Sequence, residues 1–267
     1  QIYHRNLAGR EFRLWQQQAR SVTYPSSGIL RKLAAPLLRK ALARFDKFAR
    51  SRGYVPEIQP SELFQTLGLA PREIIDAGVM KGTPWLYDSF PEAKFYLVEP
   101  QKGMLNKLEH QPKDFVCIPA ALGTKPGTAT LQVDRAKSSL LARTDLTKGD
   151  VEKSYEVSIT TLDRIISGRD LQGPVGIKLD IEGYELEALK GLWRQTDKVA
   201  FLIAELSLMD RFEDSYSFAE FVALADKKGF RFMSILNSPW AAAPMPFYDC
   251  LFLPKHHPAF AGKNSGS

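Results

Sequence analysis

The segment from Glu73 to Pro100 constrains the fold of this chain more than any other. Its pattern predicts a strand, a tight glycine turn, a helix and a second strand, and each strand ends at an acid, Asp76 or Glu99. A parallel strand pair with a crossover helix places both carboxyl ends on one edge of the sheet, where open α/β sheets bind ligands. Asp76 and Glu99 are therefore expected to face one pocket.

The two acids and the glycine turn between them indicate the type of ligand. Glu99 comes 23 residues after Asp76, which is about the spacing at which dinucleotide-binding folds place an acid on ribose hydroxyls. The turn from Gly78 to Gly82 has G-x-x-x-G spacing, so it lacks the glycine of G-x-G-x-x-G that lets the backbone approach a pyrophosphate. An adenosine-type ligand without a pyrophosphate suggests S-adenosylmethionine.

Two later apolar segments repeat this arrangement of an apolar strand followed by an acid. Residues 175–181 end in D-I and include Asp180, and residues 199–206 end in E-L and include Glu205. Acids at such positions also cap the following helix or face solvent, so either role is open for each of them. Four carboxylates expected at one edge of a sheet favour a shared site.

The order of segments predicts a Rossmann-like α/β fold. We expect a seven-stranded, mostly parallel sheet with an antiparallel last strand, preceded by an N-terminal helical extension. The remaining strands are expected at 95–98, 114–120, 128–133, 155–160, 230–236 and 248–253. Helices are expected at 60–67, from Pro84, at 104–108, 161–168, around Leu186, Leu189 and Leu192, and at 217–228. Residues 120–123 are expected to end the third strand at the same sheet edge.

Three parts of the chain differ in composition. Residues 1–55 hold 12 lysines and arginines against 2 acids, a net charge of +10, whereas the rest holds 24 against 28, a net charge of −4. We expect a basic helical extension at 1–55, a catalytic domain at 56–255 and a disordered C-terminal tail at 256–267.

The basic extension predicts two helices, at about 7–21 and 29–51, and the second has an apolar face. This face fits docking on the catalytic domain of the same chain or on a second subunit. Docking on a second subunit would make the protein a homo-oligomer. Peripheral contact with an anionic membrane surface and nucleic-acid contact are the alternatives. No nucleic-acid partner is expected, because the region around the predicted pocket is mildly acidic.

Several function classes are disfavoured by composition. No apolar run is long enough to span a membrane, and the N-terminus lacks the apolar core of a signal peptide, so a cytoplasmic location is expected. The four histidines and two cysteines show no metal-ligand spacing. Cys117 and Cys250 both lie in predicted strands, where a cysteine behaves as a small buried hydrophobe.

An ordered set of motifs within residues 73–206 resembles the FkbM family of S-adenosylmethionine-dependent methyltransferases. The residues that carry the resemblance are Asp76-Ala77-Gly78 with Gly82, Glu99-Pro100, Ala120-Ala121-Leu122 with Gly127, Ser138-Ser139-Leu140, Thr161-Leu162-Asp163, and Lys178-Leu179-Asp180-Ile181-Glu182-Gly183-Tyr184-Glu185 continuing to Leu189-Lys190-Gly191. The resemblance implies a class I methyltransferase fold. It also implies O-methylation of a hydroxyl, usually on a sugar, glycan or secondary metabolite, so the expected partner is a small-molecule or glycan acceptor. Val79-Met80-Lys81 departs from the commoner D-x-G-A-N-x-G form, so the asparagine amide is missing.

The resemblance also implies cofactor-binding roles for individual residues. Gly78 and Gly82 let the turn pass close to the methionine part of the cofactor, while Asp76, next to Ala77, supports that turn or the cofactor ammonium. Glu99 accepts the two ribose hydroxyls. The residues expected along the adenine are Ala120, Ala121 and Leu122. Ser138 and its neighbour Ser139 are expected to close over the cofactor.

Asp180 is expected where cofactor and acceptor meet, so it is the first candidate for a general base. Glu182 and Glu205 are the next candidates, although Glu182 fits a structural role at the helix start equally well. A metal held by Asp180 and Glu205 is an alternative way to activate a hydroxyl. The acceptor pocket is expected to involve the loop 134–154 and the loop around Trp240.

Two other functions remain open. A degenerate methyltransferase-fold scaffold would bind a partner or a membrane without catalysis, and Met80 together with the basic extension favours this alternative. A nucleic-acid methyltransferase would use the basic arm, but enzymes that methylate base amino groups usually carry an N-P-P-Y-type motif, and this chain has D-I-E-G.

Overall fold

The computed structural model describes residues 59–133, 138–144, 151, 153–236 and 247–261. The chain divides into two compact units, Gln1–Glu57 and Ile58–Ser267, and every described residue belongs to the second. The predicted basic helices and the Trp240 loop lie outside the described residues. Their predicted contacts with a membrane, a second subunit or the acceptor stay predictions.

A seven-stranded sheet forms the centre of the described domain, in the order β3-β2-β1-β7-β8-β10-β9. The strands of the domain, in chain order, are β1 (Glu73–Ala77), β2 (Lys94–Val98), β3 (Asp114–Ile118), β4 (Ala121–Leu122), β5 (Gly127–Val133), β6 (Lys153–Thr160), β7 (Val175–Leu179), β8 (Val199–Ser207), β9 (Phe230–Ile235) and β10 (Phe247–Pro254). Only β10 runs antiparallel to its neighbours in this sheet. The predicted mostly parallel sheet with an antiparallel last strand is confirmed.

Five α-helices of the described residues pack on the two faces of this sheet. They are α1 (Pro60–Thr66), α2 (Pro84–Ser89), α3 (Leu162–Gly168), α4 (Glu185–Lys190) and α5 (Phe218–Lys227). Successive strand residues point to opposite faces, so Ile74 belongs to the core under α1 and α2 while Ile75 belongs to the core under α3, α4 and α5. The result is the three-layer arrangement expected for a parallel sheet.

The helix starts follow their local sequence. Pro60 and Pro84 open α1 and α2, where a missing N–H costs nothing. Ser217 caps α5 with a capping box, because its hydroxyl accepts from the Glu220 N–H at 3.3 Å while the Glu220 carboxylate accepts from the Ser217 N–H at 2.7 Å. Thr161 caps α3 by accepting from the Arg164 N–H at 3.1 Å.

A second, three-stranded sheet, β4-β6-β5, is formed by residues between β3 and α3. The predicted strands 128–133 and 155–160 are confirmed as its antiparallel pair. Residues 120–123 were expected to end β3, but β3 ends at Ile118 and Ala121–Leu122 form β4, which pairs in parallel with Ile159–Thr160. The backbone groups of β4 find their partners on β6, so this edge of the cleft is built by two sheets.

The predicted helix at 104–108 is wrong. Gly103 has a left-handed φ of 80°, and short-range hydrogen bonds close separate turns, with Met104 N–H donating to the Gln101 carbonyl at 3.2 Å and Lys107 N–H to the Met104 carbonyl at 2.8 Å. Leu105 and Leu108 still pack on the core, which explains the helix-like spacing of apolar residues.

The expectation that both cysteines are buried is wrong for one of them. Cys250 on β10 is buried, whereas Cys117 is exposed. Cys117 lies on β3, the edge strand of the large sheet, which has a neighbouring strand on one side only. Edge position, which a short apolar run does not reveal, decides this difference.

The predicted C-terminal tail begins too early at 256. A short 3-10 helix at Pro258–Phe260 continues the described domain, and Phe260 packs on the core with the Arg231 guanidinium 5.0 Å from its ring centre. Within the described residues, no helix has the length and apolarity needed to cross a bilayer.

Candidate active site

A cleft with a volume of about 320 Å³ opens at the carboxyl edge of β1, β2, β7 and β8. The residues predicted from the sequence that line it are Gly78, Gly82, Glu99, Ala120, Ala121, Leu122, Ser138, Asp180, Glu182 and Glu205. Asp76 and Ala77 do not line it. The structure therefore brings most of the predicted site residues to one cavity, and their roles in it stay predictions.

The glycine turn after β1 passes close to two other segments. Gly78 has φ 79°, and a Cβ there would overlap the carbonyl oxygen of Asp180. Gly82 has φ 113°, and a Cβ there would overlap the carbonyl oxygen of His110. Both positions require glycine for two reasons: the backbone is left-handed, and there is no room for a side chain. The turn is consequently packed directly against these two segments at the edge of the cleft.

Met80, at the tip of this turn, is the position where the commoner motif has asparagine. Its φ of 46° is left-handed, a conformation that asparagine tolerates better than methionine. Its backbone N–H donates to Glu99 Oε2 at 3.1 Å. Because the main chain makes this contact, the turn is tied to Glu99 without an asparagine amide.

Glu99, the first residue after β2, is held by two backbone amides. Its Oε1 accepts from the Gln101 N–H at 2.8 Å and its Oε2 from the Met80 N–H at 3.1 Å. Burial raises the pKa of this carboxyl, and the two amides oppose that shift. Each oxygen keeps further acceptor capacity, so the fixed carboxylate is able to accept from two neighbouring hydroxyls.

Asp76 does not face the pocket with Glu99 as expected. It is fully buried and points, like Ile74, toward the α2 face of the sheet, because residues two apart on a strand share a face. The Tyr87 hydroxyl donates to Asp76 Oδ2 at 3.0 Å, and Oδ1 lies 3.6 Å from Lys178 Nζ without a hydrogen bond. Asp76 thus supports the strand end and the Lys178 ammonium from behind the cleft.

Tyr87→Phe is expected to lower the free energy of unfolding by about 2 kcal/mol, because it removes a donor from a buried carboxylate. Urea unfolding of the variant measures this loss. Tyr96→Phe is the matched control, since the Tyr96 hydroxyl makes no hydrogen bond to another described residue, and a change below about 0.5 kcal/mol is expected. Equal losses in the two variants would contradict a special role of the Tyr87 hydroxyl.

Lys178, on the buried strand β7, links Asp76 to Asp180. Its Nζ lies 3.1 Å from Asp180 Oδ2 and 3.6 Å from Asp76 Oδ1. Burial alone would lower the pKa of Lys178, but the charges of Asp180 and Asp76 outweigh it and raise the pKa, so the ammonium stays charged. The Asp180 side chain is 33% exposed, and its Oδ1 has no hydrogen-bond partner among the described residues.

Glu182 and Glu205 are both engaged by buried arginines. Arg211 donates from Nη1 to Glu205 Oε1 at 2.7 Å and from Nη2 to Glu182 Oε2 at 2.5 Å, and Arg143 Nη2 donates to the same Glu182 oxygen at 3.1 Å. Burial and the charge of Asp180 raise the pKa of Glu205 to about 8, against the effect of Arg211. These two carboxylates are less accessible to an acceptor than Asp180.

The sequence prediction gave no role in the site to four residues of this region: Lys178, Asp249, Arg143 and Arg211. Asp249 lies on β10 in register with Glu205 on β8, and it also lines the cleft. Burial raises its pKa to about 6, while the Lys178 charge opposes the shift. Lys178 and Asp249 could have been found from the sequence, because each is a charged residue inside an apolar strand. Arg143 and Arg211 lie in loops, where no sequence pattern marks them.

The segment 138–144 crosses from the small sheet to the cleft. Ser138 Oγ lies 2.9 Å from Gln101 Oε1, and Ser139 Oγ donates to the Glu182 carbonyl at 2.6 Å. Thr144 N–H donates to the Arg211 carbonyl at 3.2 Å, which fixes the other end of this segment. No group of three or more histidine, cysteine, aspartate and glutamate side chains suited to a metal occurs within the described residues.

Comparisons with known proteins bear on this site. Residues 76–232 match the model of the methyltransferase FkbM domain, which spans the glycine turn, Glu99 and Asp180. No curated protein matches the chain.

Similar solved structures include several methyltransferases. A TehB-like SAM-dependent methyltransferase from Corynebacterium glutamicum has 12% sequence identity and a TM-score of 0.36, with 82% of this chain and 100% of that chain covered. Magnesium protoporphyrin IX methyltransferase from Synechocystis, with bound SAM, has 11% identity and a TM-score of 0.37, covering 79% and 90%. The 1,6-didemethyltoxoflavin-N1-methyltransferase from Burkholderia thailandensis has 12% identity and a TM-score of 0.39, covering 87% and 93%.

Proposed function

Because the chain belongs to the FkbM methyltransferase family, we propose that it transfers a methyl group from S-adenosylmethionine to a hydroxyl of a sugar, glycan or secondary metabolite. The observation that carries this proposal is the arrangement of two carboxylates in one cleft. Glu99 is fixed by backbone amides on one side, and Asp180 has an open oxygen on the other. The first suits a ribose diol and the second suits a hydroxyl nucleophile.

The residues of the cleft fit the cofactor. Gly78 and Gly82 line the cleft and pack directly against neighbouring segments, so this turn would border the methionine part of the cofactor. Glu99 would hold the ribose hydroxyls, and the small apolar side chains at 120–122 would border the adenine. When bound, S-adenosylmethionine supplies an electrophilic methyl group on a positively charged sulfur.

The protein's own contribution to methyl transfer is alignment and removal of a proton. Asp180 accepts the proton of the acceptor hydroxyl at Oδ1, while Lys178 holds Oδ2 and fixes the side chain. Glu182 and Glu205 are bound to Arg211, which favours Asp180 as the base over both of them.

Glu99→Gln is expected to weaken S-adenosylhomocysteine binding by about 10- to 100-fold. The amide NH₂ of glutamine would face the N–H of Met80 or Gln101, and the charge that attracts the hydroxyls would be lost. Isothermal titration calorimetry measures the change. Glu92→Gln removes an exposed carboxylate outside the cleft and serves as the control, which should bind like the wild type. Unchanged affinity in the Glu99 variant would remove it from the cofactor site.

The proposed function is tested in two steps. Calorimetry with S-adenosylmethionine and S-adenosylhomocysteine comes first. Binding to neither would refute the proposed enzyme and favour a methyltransferase-fold scaffold without catalysis. The second step screens monosaccharides, oligosaccharides and hydroxylated secondary metabolites for transfer of labelled methyl groups. Label that survives mild alkaline hydrolysis is not a methyl ester, and detection of a methoxy group on the product by NMR identifies O-methylation of a hydroxyl.

A further inference from the structure

Glu185, the first residue of α4, is a buried carboxylate that lies outside the cleft lining. Its residue exposure is 1%. Oε1 accepts from the Ile181 N–H at 3.0 Å and from the Gly183 N–H at 3.2 Å. One carboxylate oxygen therefore binds two alternate amides of the loop that follows β7 and carries Asp180.

This loop, residues 180–184, has a backbone that needs support. Glu182, between the two bound amides, has a left-handed φ of 53°, which is unfavourable for glutamate. That conformation directs its carbonyl to Ser139 Oγ and its carboxylate to Arg143 and Arg211. The hydrogen bonds that the Ile181 and Gly183 amides donate to Glu185 thus support the backbone shape that places these side chains.

The carboxylate of Glu185 is itself held in place. The Tyr216 hydroxyl donates to Oε2 at 2.6 Å, and burial raises the pKa of Glu185 to about 7 while this hydrogen bond opposes the shift. On the other side, a Cβ at Gly183 would lie 2.5 Å from the Phe212 ring. The loop is consequently packed between the Glu185 carboxylate and an aromatic ring.

The 180–184 loop also contacts the glycine turn after β1. The Asp180 carbonyl packs against Gly78 so closely that no Cβ fits between them, and the Asp180 N–H donates to the Ala77 carbonyl at 3.0 Å. A shift of the loop would therefore displace both Asp180 and the turn that borders the cofactor. The loop that the Glu185 carboxylate binds is thus in contact with both halves of the cleft.

We propose that Glu185 is a positioning residue for methyl transfer, which fixes the 180–184 loop through the Ile181 and Gly183 amides and is itself held by Tyr216. This proposal rests on the proposed function, because it assumes that the cleft binds S-adenosylmethionine. It assigns to Glu185 an effect on cofactor binding without contact with the cofactor.

Asp163 offers a matched control for a merely structural carboxylate. It is also buried, and it accepts from the backbone amides of Trp193, Arg194 and Gln195 at 3.1, 2.9 and 3.2 Å. None of these residues lines the cleft. Loss of either carboxylate should reduce stability, but only loss of Glu185 should change the cleft.

The experiment compares Glu185→Ala, Glu185→Gln and Asp163→Ala by calorimetry with S-adenosylmethionine and by urea unfolding. We expect Glu185→Ala to bind about 10-fold more weakly or worse, and Glu185→Gln to bind within about threefold of the wild type, because its amide oxygen still accepts from both loop amides. Asp163→Ala should unfold at lower urea but keep wild-type affinity. The proposal is overturned if Glu185→Ala and Asp163→Ala bind S-adenosylmethionine with the same affinity.

A further variant covers the case in which Glu185→Ala does not fold. Tyr216→Phe leaves the carboxylate but removes its anchor, and about fivefold weaker S-adenosylmethionine binding is expected. Wild-type affinity in this variant would then overturn the positioning role. Failure of the wild type to bind S-adenosylmethionine or S-adenosylhomocysteine refutes the proposed function instead, so the two failures are distinguishable.

Discussion

Replacing Gly78 by alanine is expected to abolish binding of S-adenosylmethionine and S-adenosylhomocysteine. The new Cβ would overlap the carbonyl oxygen of Asp180, and that carbonyl cannot retreat freely because Glu185 and Phe212 hold its loop from behind. The left-handed backbone at φ 79° adds about 1 to 2 kcal/mol of strain for a residue with a Cβ. Either the glycine turn or the Asp180 loop must move, and both border the cleft.

Gly103→Ala is the matched control for this change. Gly103 has nearly the same backbone angle, φ 80°, but nothing lies within 4 Å of a Cβ built there. It therefore suffers the conformational strain without the collision. Thermal unfolding should show a modest stability loss in Gly103→Ala and a larger one in Gly78→Ala, and calorimetry with S-adenosylhomocysteine should show loss of binding only in Gly78→Ala. Wild-type affinity in a folded Gly78→Ala protein would contradict the close approach of turn and loop.

Replacing Asp180 by asparagine is expected to lower kcat for methyl transfer by about 10²- to 10⁴-fold, the range typical of a lost general base. The amide oxygen of asparagine keeps the hydrogen bond from Lys178, so the geometry should be preserved while the proton acceptor is lost. Affinity for S-adenosylhomocysteine should change far less than kcat. The measurement is single-turnover transfer of labelled methyl groups to the acceptor found in the screen.

Glu205→Gln and Glu182→Gln serve as comparisons for Asp180→Asn. Both carboxylates are already bound to Arg211, so the loss of either charge should lower kcat by less than about tenfold if Asp180 is the base. A near wild-type rate in Asp180→Asn with intact cofactor binding would remove Asp180 as the base. A larger loss in Glu205→Gln than in Asp180→Asn would transfer that role to Glu205.

Local sequence predicted much of this fold because the governing interactions are local or periodic. Apolar runs that end in acids predicted β1, β2, β7 and β8, and Pro60 and Pro84 marked the starts of α1 and α2. The helix predicted at 104–108 failed because a left-handed glycine and separate turns replaced it while its leucines stayed in the core. Apolar spacing records burial, and a compact turn satisfies burial as well as a helix does.

The sequence by itself determined the edge of the sheet at which the cleft forms, the position of Glu99 at that edge and the need for glycine in the turn after β1. These follow from strand order and backbone freedom. Only the tertiary structure decided which acids face the cleft, since Asp76 is buried beneath it, against Tyr87 and Lys178. Likewise, only packing brought Arg211 to Glu182 and Glu205, and Tyr216 to Glu185. Contacts between residues far apart in sequence leave no periodic trace, so the choice among chemically equivalent carboxylates is made in three dimensions.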